Sequence, residues 1–298
     1  MNKTAIAEQL KTLGCRVTVD EPMANRTSFR IGGAADVFAV AAANTVGAVR
    51  VFCAEHGIPL MVVGNGSNLL VSDGGIDGVV LQIADSPATV NGTTVPASAG
   101  MNLSKLCLEV CKHGLSGLEF AYGIPGTVGG GVYMNAGAYG GELSNVIRRV
   151  GVVDENGNER VLAATELQLG YRHSVLMERP WTVLWAELEL TPDDPVAIRA
   201  RMDDFLNRRR EKQPLEYPSG GSFFKRPTGY FAGALIEQCG LKGFTVGGAQ
   251  VSEKHAGFVI NRGGATCADV MELCRQVQKT VWDAHGVQLE REVQLVGR

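Results

Sequence analysis

The sequence predicts a mixed α+β protein of more than one domain that holds a phosphate-bearing ligand in main-chain loops. Three observations carry this expectation. The chain has 298 residues with 45% hydrophobic content, enough apolar surface for two or three packed domains. Residues 36–63 read as strand, helix, strand. The apolar run Pro59-Leu60-Met61-Val62-Val63 then opens directly into Gly64-Asn65-Gly66-Ser67-Asn68-Leu69-Leu70, where glycine permits close backbone approach and successive N–H groups can surround an anion. A second loop repeats the theme: Tyr122-Gly123-Ile124-Pro125-Gly126-Thr127-Val128-Gly129-Gly130-Gly131, running on to Asn135-Ala136-Gly137-Ala138-Tyr139-Gly140-Gly141. Two such loops suit a cofactor with a long phosphate-bearing body. The 38 glycines of the chain are aperiodic, which excludes collagen-like and repeat architectures.

Taken in order, Ile6, Leu10 and Leu13 with Gly14 as a stop predict a short amphipathic helix rather than a signal peptide. A strand is expected over 36–43, then a helix capped by Asn44 that carries Val46, Val49, Phe52 and Cys53 and ends at Gly57. The next strand is 59–63, which completes a β-α-β unit. That unit resembles half a nucleotide-binding fold. However, its glycine loop follows the second strand instead of the first, and Leu69 occupies the third glycine position of G-x-G-x-x-G. No G-x-x-x-x-G-K-[ST] occurs. Another way of holding a dinucleotide is needed.

Further along, 79–83 and 89–95 read as short strands, and Asn102 caps a helix with Leu103, Leu106, Cys107 and Val110 ending at Gly114. Residues 147–153 and 158–162 form a hairpin across Asp154-Glu155-Asn156-Gly157. Trp181 to Leu190 is a strand. Pro195 opens a long helix with Val196, Met202, Phe205 and Leu206 on its apolar face and the basic run Arg208-Arg209-Arg210 at its end, where cations complement the dipole. After Pro214 and Pro218 come helices at Tyr230–Cys239 and 267–285, the latter capped by the pair Thr266 and Asp269. A terminal strand is expected over Val287–Val296, with Arg291 interrupting its apolar face. The expected domains are 1–72, 73–207 and 208–298.

Net charge is −3 and the isoelectric point is near 6.0, which argues against nucleic acid or an anionic membrane as the main partner. The seven cysteines include no C-x-x-C pair, so zinc ribbons, iron–sulfur clusters and dithiol motifs lack their spacing. Reduced, buried cysteines in a chain of this size point to the cytoplasm. No uninterrupted run reaches the ~20 apolar residues of a membrane span. The five histidines form no H-x-H or H-E-x-x-H pattern, and no metal is expected. His56, His113 and His285 each precede a glycine at a helix end.

Three short motifs place reactive residues among turn formers: Gly170-Tyr171-Arg172-His173-Ser174, Pro218-Ser219-Gly220-Gly221-Ser222-Phe223-Phe224-Lys225-Arg226-Pro227 and Leu289-Glu290-Arg291-Glu292-Val293. Taken singly, each reads more simply as a surface cation, a turn hydroxyl and a solvated edge carboxylate. Ser222 has no adjacent base and no G-x-S-x-G elbow, which disfavours a hydrolase triad.

Together the motifs resolve. T-S-F-R-I-G-G-A-A-D at 27–36, G-N-G-S-N-L-L at 64–70, G-I-P-G-T-V-G-G at 123–130 and N-A-G-A-Y-G at 135–140 closely resemble the UDP-N-acetylenolpyruvoylglucosamine reductase family. Y-R-H-S at 171–174, G-S-F-F-K-R-P at 221–227, K-H-A-G-F at 254–258 and L-E-R-E-V at 289–293 follow in the same order. The resemblance covers about residues 22 to 297. It implies a vanillyl-alcohol-oxidase-type (PCMH-type) α+β fold, in which two α/β subdomains clasp FAD and a C-terminal domain bears the substrate site.

On that resemblance, Gly64, Asn65, Gly66, Ser67, Asn68 and Leu69, with Gly123, Ile124, Pro125, Gly126, Thr127, Gly129 and Gly130, cradle the FAD diphosphate. Asn135, Gly137, Ala138 and Tyr139 run alongside. With no histidine or cysteine in 64–70, the flavin is held non-covalently. The resemblance further implies that NADPH reduces FAD and that hydride then passes to the vinyl carbon of a UDP-sugar enolpyruvyl ether. Arg172 would bind the substrate carboxylate, Glu292 would help hold the enolic form, and Ser222 would supply the proton. Tyr171 and Lys225 are the expected further substrate contacts. The chain departs from the family pattern at Arg291, where proline is usual, and at Arg226, where a small polar residue is usual. It also lacks a tyrosine-bearing insertion in 190–230, as in the compact subclass. The competing readings are an alcohol or lactone oxidase of the same fold, and a nucleotide-binding module without catalysis.

Overall fold

The computed structural model describes all residues from 1 to 298. The chain opens with α1 (Lys3–Thr12), whose N-cap Asn2 accepts from the Ala5 N–H. Strands β1 (Arg16–Pro22) and β2 (Ala34–Ala41) precede α2 (Val46–Glu55) and β3 (Leu60–Val63). Beyond the glycine loop lie β4 (Leu69–Val71), β5 (Ile76–Ile83) and β6 (Thr94–Ser98). Helix α3 (Leu103–Lys112), β7 (Leu115–Ser116) and the short α4 (Val128–Met134) follow, then the two-residue strands β8 (Gly137–Ala138) and β9 (Gly141–Glu142). Next are β10 (Ile147–Val153), β11 (Glu159–Ala163), β12 (Thr182–Glu189), β13 (Thr191–Pro192) and α5 (Pro195–Lys212). The last stretch holds β14 (Ser219–Ser222), α6 (Ala232–Gln238), β15 (Thr245–Val246), β16 (Ala249–Val251), β17 (Phe258–Asn261), α7 (Cys267–His285) and β18 (Gln294–Val296).

These elements form two compact units: Met1–Val19 with Val37–Asn65 and Gly78–Arg208, and Asp20–Asp36 with Gly66–Asp77 and Arg209–Arg298. The first unit is built on two four-stranded sheets, ordered β1-β2-β5-β3 and β11-β10-β12-β6. Its core runs through Val37, Leu81, Leu103, Leu106, Val150 and Leu188. The second contains the sheet β14-β17-β16-β15, the parallel pair β18 and β4, and a core of Phe29, Phe223, Val259, Val270 and Val277. No helix is long and apolar enough to cross a membrane.

Local chemistry explains the elements that the sequence marked clearly. In α3, Asn102 accepts from the Ser104 and Lys105 N–H groups, and Leu103, Leu106, Cys107, Val110 and Cys111 form one buried stripe, the helical spacing of a core-facing surface. The β10–β11 turn is organised by Asp154, whose Oδ1 accepts from the Asn156 and Asn158 N–H groups at 2.9 Å each. Its carboxyl lies below the usual range, chiefly through the Asn158 N–H bond.

Several expectations are corrected. Residues 36–63 do form a crossover, but β5 lies between β2 and β3 and pairs with β3 in parallel register, Leu60 against Val79. A short 3-10 turn at Ala43–Thr45 replaces the Asn44 cap, and α2 starts at Val46 without a side-chain cap. The strand expected at 89–95 lies at 94–98, because Asn91 and Thr94 close a turn instead. In α5 the buried residues are Ile198 and Met202, while Val196 is 75% exposed. Tyr230 and Phe231 precede α6 and are exposed. The terminal strand shrinks to 294–296, since β4 offers only three residues to pair with.

Candidate functional site

In the first unit the two glycine-rich loops meet. A Cβ on Gly64 would lie 2.5 Å from Thr127 Oγ1, so only glycine allows this approach. Asn65 Nδ2 donates to the Pro125 carbonyl at 3.0 Å, and Gln82 Nε2 donates to the Gly64 carbonyl at 2.9 Å. Thr127 is the N-cap of α4, with its hydroxyl accepting from Gly130 N–H. Much of the second loop's backbone is already committed to protein acceptors. The N–H groups of Val128 and Gly129 donate to Met101 and Ala99, that of Ile124 to Ala121, and that of Gly123 to Ser104 Oγ.

Asn135 ends α4 in the left-handed region, φ 43°, and is fully buried. Its Nδ2 donates to the Gly170 carbonyl at 3.0 Å and its Oδ1 accepts from Ser144 N–H at 2.9 Å. The side chain therefore ties the end of α4 to the Tyr171–Arg172 turn. Tyr139, φ 54°, and Gly140, φ 85°, make the two-residue turn between β8 and β9, the conformation that matches hairpin twist. Tyr139 stacks on Phe205, centroids 5.0 Å apart and 7° from parallel.

Arg172 occupies the third position of a tight turn closed by Gly170 N–H to His173 carbonyl, 3.0 Å, and the reciprocal bond at 3.2 Å. Its φ is 53°, a conformation that glycine or asparagine normally fills in such turns. The guanidinium donates to the Gly137 carbonyl at 3.0 Å and lies 5.3 Å from the Tyr171 ring. Buried Ser174 donates to the Tyr133 carbonyl at 2.7 Å. Residues 135–139 and 170–174 are thus one connected structure.

In the second unit, Ser222 sits exposed at the end of β14. Strand β14 slips one residue against β17, Ser219 opposite Ile260 but Ser222 opposite Phe258, with Gly221 at φ 84°. This bulge turns the Ser222 hydroxyl outward. Phe223 then donates to the Gly257 carbonyl at 2.8 Å and accepts from the Glu292 N–H at 2.9 Å. Lys225 N–H donates to the Glu290 carbonyl at 2.8 Å, and its ammonium lies 3.3 Å from the Glu290 carboxylate. Arg226 stacks 3.9 Å from the centre of the Phe231 ring. The structure brings Ser222, Lys225 and Glu292 onto neighbouring segments. Gly66 (φ 60°) presses against the Arg26 carbonyl, which a Cβ would meet at 2.3 Å, and Asn68 Nδ2 donates to the Glu292 carbonyl at 3.1 Å.

Two residues that the sequence did not single out, Arg30 and Asn261, are joined in the second unit. Arg30 is exposed at φ 54°. Buried Asn261 donates to the Phe29 and Arg30 carbonyls and accepts from Gly263 and Ala265 N–H groups. The signal was Asn261-Arg262-Gly263-Gly264 after an apolar run, an Asx-turn pattern. No three His, Cys, Asp or Glu side chains gather in a way that could hold a metal. His255 is half-buried, accepts from the Gly257 N–H and is held below its usual range by burial.

Residues 213–296 match the family model described as UDP-N-acetylenolpyruvoylglucosamine reductase, C-terminal domain, and residues 34–163 match the model described as FAD binding domain. The UDP-N-acetylenolpyruvoylglucosamine reductase of Clostridium perfringens is 49% identical over 285 residues, covering 95% of this chain and 93% of the relative. That of Caldanaerobacter subterraneus is 47% identical over 288 residues, covering 95% and 94%. The crystal structure of the Thermus caldophilus UDP-N-acetylenolpyruvylglucosamine reductase matches with a TM-score of 0.81 at 34% identity, covering 94% of this chain and 98% of that one.

Proposed function

The chain belongs to the UDP-N-acetylenolpyruvoylglucosamine reductase family, and from that premise we propose how its own residues carry the reaction. As a member it is an FAD-dependent oxidoreductase that uses NADPH to form UDP-N-acetylmuramate for peptidoglycan precursor synthesis. The chemistry of the two glycine loops fits a diphosphate, because residues 59–72 and 120–141 contain no acidic side chain. With the N–H groups of 123, 124, 128 and 129 already bonded within the protein, those of Gly126 and Thr127 fall to the cofactor, alongside those of Asn65, Gly66 and Ser67. Asn135, buried and bonded at both ends, positions Gly137, Ala138 and Tyr139 rather than touching the cofactor. Bound FAD supplies the redox chemistry, passing two electrons from NADPH to the enolpyruvyl double bond.

The residues do the rest. Arg172, always cationic and forked, takes the enolpyruvyl carboxylate and stabilises the negative charge that develops beside it. Ser222 donates the proton to the adjacent carbon, and Glu292 helps hold the enolic form. Tyr171 contacts the substrate. The Lys225–Glu290 pair is half-exposed, weak enough at about 1 kcal/mol or less for an anionic substrate group to replace it. We place the enzyme in the cytoplasm, where its seven free thiols stay reduced.

The observation that carries this assignment is Arg172 itself. Holding a residue with a Cβ at φ 53° costs about 1–2 kcal/mol, and hydrogen bonds of the turn and of the guanidinium maintain it. The test separates the half-reactions. NADPH should bleach the flavin absorbance of the holoenzyme, and only the enolpyruvyl substrate should restore it. In Ser222→Ala the bleaching should persist while restoration slows by about 10²–10⁴. Equal losses in both phases would make Ser222 structural.

A further inference from the structure

Glu292 lies in a stretch without regular secondary structure, and yet both of its peptide groups are pinned. Its N–H donates to the Phe223 carbonyl at 2.9 Å, one residue beyond Ser222, and its carbonyl accepts from Asn68 Nδ2 at 3.1 Å. The Asn68 carbonyl in turn accepts from Gln294 N–H at 3.0 Å. That bond starts the parallel ladder of β18 on β4, Gln294 opposite Leu69 and Val296 opposite Val71. The ladder continues through Ser72 N–H to the Val296 carbonyl, 2.8 Å, and Arg298 N–H to the Gly75 carbonyl, 3.0 Å. It ends with Arg298 paired to Asp77. The end of the chain is therefore a strap along the segment that follows the glycine loop.

We propose that Asn68 is a positioning residue for Glu292: its amide fixes the Glu292 carbonyl and so aims the carboxylate during the substrate half-reaction. The strap sets the register and the Phe223 carbonyl accepts from the Glu292 and Val293 N–H groups at 2.9 and 3.5 Å, whereas the Glu292 carbonyl itself is held by the Asn68 amide. A residue with proline's fixed φ would stiffen this path. Here Arg291 stands before Glu292, and the Asn68 amide supplies the restraint. This inference rests on the reading that Glu292 acts in the substrate half-reaction.

The test is a double-mutant cycle on the holoenzyme with Asn68→Ala, Glu292→Gln and the pair, following flavin reduction by NADPH and reoxidation by substrate separately. A residue acting through Glu292 loses its effect once Glu292 is altered. Asn68→Ala should slow reoxidation at least tenfold more than reduction, and should slow it less than twofold further when added to Glu292→Gln. Both half-reactions are followed at saturating FAD, so that any loss of cofactor affinity through the 64–69 loop leaves the comparison untouched. Multiplying effects in the double variant, or equal slowing of reduction and reoxidation by Asn68→Ala, would overturn the proposal. Asn68→Ser, too short to reach the Glu292 carbonyl, repeats the cycle if the alanine variant does not accumulate. If Glu292→Gln alone leaves reoxidation unchanged, the role assigned to Glu292 fails, and that outcome is distinct from additivity.

Discussion

Arg172 shows a side chain and its backbone asking for different residues. The role proposed for Arg172 wants a forked cation, whereas the left-handed turn at φ 53° wants glycine. A residue with a Cβ loses about 1–2 kcal/mol in this region. Arg172→Ala and Arg172→Gly both remove the guanidinium and its bond to the Gly137 carbonyl, so both should lose most of the substrate half-reaction. They should part in stability. Glycine relieves the strain but gains freedom in the unfolded chain, leaving Arg172→Gly about 1 kcal/mol more stable than Arg172→Ala, a shift of roughly 2–4 °C in Tm. Alanine melting at or above glycine would show the turn unstrained. The sequence marked the motif around Arg172 through its resemblance, but it did not mark the strain. Sequence signals φ > 0 by Gly, Asn or Asp, and Arg30, Tyr139 and Arg172 carry none of those signals.

At the scale of elements, helices with their own caps were readable and pairings between distant segments were not. Helix α7 illustrates both. Its capping box is local: Thr266 Oγ1 accepts from the Asp269 N–H and Asp269 accepts from the Thr266 N–H, each at 3.0 Å. The remaining first-turn donors, the Cys267 and Ala268 N–H groups, go to the Asp73 carboxylate at 2.8 and 3.0 Å, from the turn after the glycine loop. No spacing rule reaches across 194 residues. In urea titrations Thr266→Ala should cost about 1 kcal/mol, and Asp73→Ala about 1–2 kcal/mol through two charge-assisted bonds at an exposed helix end. No loss in Asp73→Ala would mean that water replaces the carboxylate fully. The over-long terminal strand has the same origin. Alternation over 287–296 reports which side chains are apolar, but strand length is set by the partner. Residues 290–292 meet Phe223, Phe224 and Lys225 through isolated bonds instead.

For the whole molecule, the family fold was readable because its motifs are glycine-bearing turns, where backbone geometry dictates residue identity. The division into units was less so, because Asp20–Asp36 and Gly66–Asp77 join Arg209–Arg298 without any shift in composition to mark it. The cysteines offer a way to probe each unit. Cys15, Cys53, Cys107 and Cys111 lie in the first core and Cys267 and Cys274 in the second, with only Cys239 partly accessible. Burial pushes the Cys53 and Cys267 thiols up from 9.0 to about 11 and Cys274 to about 12. A raised thiol contributes stability that is complete below its unfolded value and is lost as pH rises toward the folded one. At pH 8 the native protein should therefore give one fast-reacting thiol, Cys239, with an aromatic disulfide reagent, against all seven in denaturant. Above about pH 9 the other six should become progressively more reactive, as the thiolate favours open states. Peptide mapping of the labelled cysteines would read the opening of each core separately. Several fast thiols at pH 8, or labelling that ignores pH between 8 and 11, would contradict the burial that both cores depend on.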